Sequence, residues 1–196
     1  MFILNTSRLK LRQIHLSDAD FMLELLSSPS WKEYIGDRKV NSIAEAEAYI
    51  LSKVIPSYEK FGFGFYMIIT RADQTRIGIC GLIRRAGLED ADIGFALLPA
   101  FEGRGFALEA AQAMLDYGIK VHALERIVAI TVNHNRRSIT LLEKLGMNYE
   151  KMIKLPDDNE PLMLYSNKLK KQGEVHNENF SSINNSQFTD QCLELQ

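Results

Sequence analysis

Two cysteines, Cys80 and Cys192, are all that the 196 residues contain. A single pair builds no disulfide framework, and such sparse usage fits a reducing compartment. No apolar run approaches the ~18–20 residues that cross a bilayer. The opening MFILNTSRLKLRQI offers only the residues before Asn5 as an apolar region, too few for a signal peptide. Neither sign of charge dominates. Lys plus Arg total 23 and Asp plus Glu 25, a net of −2. That balance argues against a broad basic surface, so no strong nucleic-acid binding is expected. No repeat of 20–50 residues is visible. The expectation is a soluble cytoplasmic chain with no membrane partner.

What is present is an ordinary globular mix, 46% hydrophobic and 24% charged. The length points to one domain plus a tail, and such a chain buries roughly 70% of its unfolded surface. Composition shifts near Lys170. Residues 170–196 are rich in Asn, Gln and Ser and poor in apolar groups. They read as a flexible or loosely docked tail.

Arg8–Arg12 (RLKLR) alternates as a strand should. Ser17 and Asp18 stand where they can cap a helix running to about Ser27. Ser42-Ile-Ala-Glu45 matches a capping box, opening a helix with apolar positions at 43, 46, 50, 54, 58 and 61. Pro56 should kink or split it. Strands are predicted at 63–70, 76–85 and 92–98, the last halted by Pro99. A short glycine loop, Phe101–Ala107, leads into a helix with apolar residues at 108, 111, 115, 119 and 122. A β-branched strand at 126–132, a polar turn at 133–136, and a short helix at 138–145 closed by Gly146 follow. Two more strands, near 149–153 and 162–167, flank the loop 156–161. This order implies one mixed sheet covered by helices.

A strand, a Gly-x-Gly turn and a helix N-terminus make an anion site, because free N–H groups and the helix dipole converge there. Gly103 and Gly105 allow close approach of a phosphate, and Arg104 adds charge. On its own this turn could equally be only tight backbone. The dinucleotide fingerprint fails, since its third small residue would fall on Leu108. The Walker loop fails as well, for want of Gly-Lys-Ser/Thr.

Read as Glu102-Gly103-Arg104-Gly105-Phe106-Ala107, the loop resembles the Gln/Arg-x-x-Gly-x-Gly/Ala signature of the GNAT superfamily of N-acetyltransferases. The preceding IGFALLP, the following EAAQAMLDYG and the segment Asn135-x-x-Ser138-x-x-Leu-Leu-Glu-Lys-Leu-Gly146 fall where that family has matching segments. The wording is closest to the branch of ribosomal-protein N-terminal acetyltransferases. The resemblance covers about residues 7–168, within a domain taken as 1–169, and is strongest over 92–147. Two departures stand out. Glu102 replaces the usual Gln or Arg, and Leu142 occupies a position where many relatives carry a catalytic Tyr.

The resemblance implies an α/β GNAT-like fold, its mostly antiparallel sheet splayed between the strands at 92–98 and 126–132. It implies acetyl-CoA as donor, CoA as product, and no metal. Backbone groups of Phe95, Ala96 and Leu97 would hold the pantetheine arm and offer an N–H to the thioester oxygen, a donor that stabilises an oxyanion. The loop from Glu102 to Ala107 would bind the cofactor, the amides at Gly103, Arg104, Gly105, Phe106 and Ala107 holding the diphosphate and the Glu102 side chain pointing away from it, and Asn135 and Ser138 would contact the cofactor. An amine would attack directly, with no acyl-enzyme.

With Leu142 in the Tyr position, Ser138 is the nearest hydroxyl to protonate the departing thiolate; its alternative is bonding its own helix backbone. Asn135 can cap that helix while touching cofactor. Asp92 is the candidate base, against a solvated strand-end charge. His134, beside the site, has the right intrinsic pKa. Asp157, Asp158 and Glu160 stand in a loop on the acceptor side. Base catalysis is dispensable for an α-amine, whose pKa of about 7.7–8.0 leaves roughly a tenth neutral at pH 7. Tyr34, Phe63, Phe65 and Tyr66 either line the acceptor pocket or pack the core. Trp31 sits where relatives shape that pocket, and Cys80 reads as a buried small hydrophobe. The function implied is acetyl transfer to a primary amine, either a protein N-terminus or a small molecule, by a monomer or homodimer. The alternative is a non-catalytic acyl-CoA sensor.

Overall fold

A computed structural model describes residues 2–156 and 160–168. Asp157, Asp158 and the tail 170–196 lie outside the described residues. The N-terminal apolar residues, too few to read as an element, form β1 (Phe2–Asn5), which pairs antiparallel with β2 (Leu9–Gln13). A helical turn at Leu16–Asp18 leads into α1 (Ala19–Ser27). Asp18 precedes α1, yet its carboxylate does not cap it. It is taken instead by Arg12, at 2.6 and 2.7 Å, and by the His15 N–H at 2.9 Å. A bidentate guanidinium outcompetes a helix amide for a carboxylate that is 2% exposed.

PSWKEY, too short for a periodic signal, is α2 (Pro29–Tyr34), with the Ser28 hydroxyl accepting from the Trp31 N–H and Pro29 in the first turn. Ser42 caps α3 (Ile43–Tyr49), while Glu45 reaches back to the Asn41 N–H. Pro56 splits the long helix as expected: the chain passes through a π-turn at Ile50–Val54 into α4 (Ile55–Phe61).

Then come β3 (Phe65–Thr70), β4 (Arg76–Ile83), β5 (Ala91–Leu97), α5 (Phe106–His122), β6 (Ile127–Thr131), α6 (Arg136–Lys144), β7 (Asn148–Ile153) and β8 (Leu162–Ser166). They make one eight-stranded sheet in the order β1-β2-β3-β4-β5-β6-β8-β7. Among the described residues every neighbouring pair is antiparallel except β5 with β6. The mixed α/β class and the splayed sheet expected from sequence are those observed.

Strand alternation sorts the core into two layers. Tyr66 and Ile68 of β3 face one side with α5 and α6, while Met67 and Ile69 face the other with α1 to α4. The buried face of α5 differs from the expected stripe. Phe106, Ala110, Ala111, Met114, Leu115 and Gly118 are buried, whereas Ile119 is 45% exposed. The reason is close approach. A Cβ on Gly118 would lie 2.6 Å from Leu82 and 2.9 Å from Ile127, so α5 settles on its small residues.

Glu109, in the first turn of α5, ties that helix to the start of β2. It accepts from the Thr6 hydroxyl at 2.5 Å, the Ser7 hydroxyl at 3.0 Å, the Arg8 N–H at 2.8 Å and the Arg8 guanidinium at 2.5 Å. Burial alone raises its pKa, but these donors outweigh that and hold it down to about 2, against an ordinary 4.5. The folded state therefore binds this proton more weakly than the unfolded chain. The stabilisation is complete above about pH 4.5 and is lost as pH falls toward about 2. Glu109→Gln should cost roughly 1–3 kcal/mol near neutrality. Denaturant titrations of both proteins should show that difference shrinking between those two pH values, whereas a pH-independent difference would mean that the charge is not what matters.

Candidate active site

The seam between β5 and β6 is two residue pairs long, Ala91 with Ile127 and Asp92 with Val128. Beyond it the strands diverge. Phe95, Ala96 and Leu97 stay paired with Cys80, Ile79 and Gly78 of β4, but not with β6. Alternate residues of a strand direct their N–H and C=O groups to opposite neighbours. Those facing the gap are thus available to an extended ligand lying in it. Phe95 and Ala96 are partly exposed, while the Leu97 side chain is buried in the core.

The glycine loop stands at the open end. Gly103 and Gly105 have φ of +72° and +77°, the left-handed region that suits glycine. A Cβ on Gly103 would meet nothing within 4 Å, so the loop's outer side is open. No amide from Gly103 to Leu108 finds an acceptor among the described residues. These amides sit at the N-terminus of a 17-residue helix, where the dipole favours an anion. Arg104 lies 5.0 Å from the Phe106 ring centre. A cavity of about 520 Å³ opens on the β2–β3 side of the loop, bordered by Arg8, Arg71 and Arg104. Sequence reading missed it, because Arg71 is far from the loop in the chain.

On the other lip, Asn135 caps α6, its Oδ1 accepting from the Ser138 N–H at 3.0 Å. The Ser138 side chain is half-buried and its hydroxyl has no partner among the described residues, so it is not bonding its own backbone. Leu142, one turn on, is 1% exposed and belongs to the core. Gly146 (φ +74°) ends the helix as expected, with the Met147 N–H bonded to Leu142 O at 3.0 Å.

Asp92 is not a solvated strand-end charge. It is 1% exposed, sits at the vertex of the split, and is bonded by Arg85 at 3.0 Å. Asp90 and Arg126, the residues just before β5 and β6, form an ion pair across the same closed end, and Arg126 also reaches Glu150 at 2.5 Å. Nothing in one strand's sequence signals these partners: Arg85 stands in the β4–β5 connection, and Arg126 meets Asp90 and Glu150 from other parts of the chain.

The remaining candidates separate by burial. Phe63 and Tyr66 are core residues, and Phe65 packs on the opposite layer. Trp31 is 3% exposed within that layer, so it lines no open pocket. Cys80 is buried and its thiol pKa is pushed up by desolvation, which makes it a poor nucleophile. Tyr34 and the exposed His134 meet with ring centres 5.8 Å apart, bringing α2 to the Asn135 turn. Glu160 is exposed. No cluster of His, Cys, Asp and Glu suited to a metal, and no helix long and apolar enough to cross a membrane, occurs among the described residues.

Known proteins share this fold. A family model described as an acetyltransferase (GNAT) domain matches residues 8–148. The N-acetyltransferase YnaD of Bacillus subtilis (strain 168), itself uncharacterised, is 30% identical over 159 residues, which cover 80% of this chain and 90% of that protein. The ribosomal protein uS5 alanine N-acetyltransferase of Escherichia coli (strain K12) is 28% identical over 100 residues, 50% of this chain and 52% of that one. The solved structure of RimL, a ribosomal L7/L12 alpha-N-protein acetyltransferase in complex with coenzyme A, has the same fold. Its TM-score is 0.72 at 18% identity, over 85% of this chain and 97% of that chain.

The Asn135 cap gives a local test of the lip. Asn135→Ala should lower stability by about 1 kcal/mol through loss of the bond to Ser138, and Asn135→Asp should keep most of it. Thermal unfolding of the two variants checks this; equal losses would show that the side chain does not cap α6.

Proposed function

The chain belongs to the GNAT family of acetyltransferases, and from that premise we propose that acetyl-CoA binds in the cleft between β5 and β6 and that the acceptor is an α-amine. The observation that carries the reading is the run of unpartnered amides from Gly103 to Leu108 at the head of α5. Six N–H groups without acceptors among the described residues, beside two left-handed glycines, fit a diphosphate and suit no apolar ligand.

Acetyl-CoA, when bound, supplies an acetyl group activated as a thioester. The chain's residues do the rest. Amides of Gly103, Arg104, Gly105, Phe106 and Ala107 hold the diphosphate. Glu102 stands at the entry of this loop. Arg71 and Arg104, on the neighbouring cavity, take the phosphorylated nucleotide end. Backbone groups of Phe95, Ala96 and Leu97 hold the pantetheine arm, and an N–H among them faces the carbonyl oxygen, where charge develops as the amine attacks. Asn135 contacts the arm from the opposite lip. The attacking amine loses its extra proton to solvent as the amide forms, and the Ser138 hydroxyl gives its proton to the departing sulfur and is reprotonated from that solvent, so no net proton is consumed. Leu142 leaves no hydroxyl one turn further on.

Asp92 was the candidate base. Its carboxylate is buried and ion-paired with Arg85, which fixes it at the vertex of the cleft. An α-amine removes the need for one, since about a tenth is neutral at pH 7, against under ~0.1% of a lysine amine. A relative named as an alanine N-acetyltransferase agrees with that choice.

Release of free thiol from acetyl-CoA should therefore be seen with peptide α-amines and fall sharply with lysine side chains or polyamines. Binding of acetyl-CoA without thiol release from any amine would leave a sensor in place of an enzyme. Gly105→Ala places a Cβ at a left-handed φ beside the anion site. It should weaken CoA by about tenfold or more at a stability cost of about 1 kcal/mol; calorimetry showing unchanged affinity would remove the loop assignment. Ser138→Ala should lower kcat by ~10²-fold or more with little change in the KM for acetyl-CoA. A fully active Ser138→Ala enzyme would return proton transfer to solvent.

A further inference from the structure

The anion loop contains an acid. Glu102 sits at its entry, where a carboxylate repels the phosphates that the amides attract. Arg137 meets it from across the cleft: its guanidinium and the Glu102 carboxylate form an ion pair. Glu102 leaves the end of β5 and Arg137 leaves the end of β6, so this pair spans the open mouth of the split.

Arg137 is also oddly placed within its own helix. Arg136 and Arg137 occupy the first turn of α6, and no acidic residue accompanies them there. A cation at a helix N-terminus opposes the dipole. The N-terminal ends of α5 and α6 thus meet at one rim, with Arg137 and the Glu102 carboxylate paired between them. The Arg137 side chain is 80% exposed, so its pair with Glu102 is weak and easily exchanged. A guanidinium–phosphate contact is charge-assisted and bidentate, and it is the stronger partner.

We propose that Arg137 is a phosphate-binding residue of the acetyl-CoA site, paired with Glu102 in the structure and exchanging that carboxylate for the cofactor's diphosphate on binding. This rests on the reading of the cleft given above. Glu102 then has a defined part: it holds Arg137 over the mouth and lowers affinity by competing for it, which limits how tightly the product CoA is retained.

Breaking the pair from either side separates this role from that of a structural tether. A tether is lost equally in Arg137→Gln and Glu102→Gln, so both would weaken CoA. A competing carboxylate and a phosphate ligand give opposite signs. Calorimetric titration of CoA at fixed low salt should show Arg137→Gln weaker by about tenfold, the loss of one charge-assisted contact. Glu102→Gln should bind CoA as tightly as wild type or more so, and Arg137→Lys should recover part of the loss. An Arg137→Gln affinity within about twofold of wild type, or a weakened Glu102→Gln, overturns the proposal. Wild-type protein that binds no CoA overturns instead the acetyl-CoA reading on which it rests.

Discussion

A sheet held together along its length cannot admit a ligand between its strands. Here the seam between β5 and β6 is only two pairs long, and the rest of the site depends on that shortness. It is also the one parallel pairing among the described residues, in a sheet otherwise laddered by antiparallel neighbours. Charges reinforce the closed end. Asp92 with Arg85, and Asp90 with Arg126, fix the vertex where backbone bonds are few. These pairs are largely buried, so removing one partner strands a charge and is costly. Opening at one end is stable because the other end is locked.

From that geometry the chemistry of the cleft follows. Both strands run toward the mouth, so the helices that follow them, α5 and α6, begin there. Two helix N-termini give the mouth a positive field, to which Arg104 and Arg137 add. The glycines at 103 and 105 leave backbone amides bare at its centre. Glu109 holds the α5 end in place from below by collecting four donors from the start of β2. The site is therefore rigid in its backbone and sparse in ionisable chemistry, which suits transfer from an already activated acyl group to an amine that is partly neutral by itself.

Local signals in the sequence carried most of the fold. The Ser42 cap, the break at Pro56, the β-branched run at 127–131 and the Gly146 terminator all form as their chemistry dictates, because each depends on neighbours within a few residues. The glycine loop and the Asn135 turn were legible for the same reason. What stayed hidden depends on contacts across the fold that a local pattern does not specify, even where the partner is only six or seven residues away. Asp18 looked like a helix cap and is an arginine partner. Asp92 reads in the sequence as a candidate base or else a solvated strand-end charge; its burial and its pairing with Arg85 appear only in the fold. The α5 stripe was displaced because Gly118, of no value in an apolar count, is the point of closest approach to the sheet. Trp31, a candidate for the acceptor pocket, is core, since α2 packs on α1 and buries it in that layer.

The central claim is that one ligand occupies the split and caps the head of α5 together. Amide chemical shifts of isotope-labelled protein, followed while CoA is added, test it most directly. The account predicts large, saturable shifts at residues 95–97 and 103–107 and at Asn135 and Ser138, with the exposed edge strand β7 unmoved. Shifts confined to the loop without the strand residues, or centred elsewhere in the molecule, would contradict it.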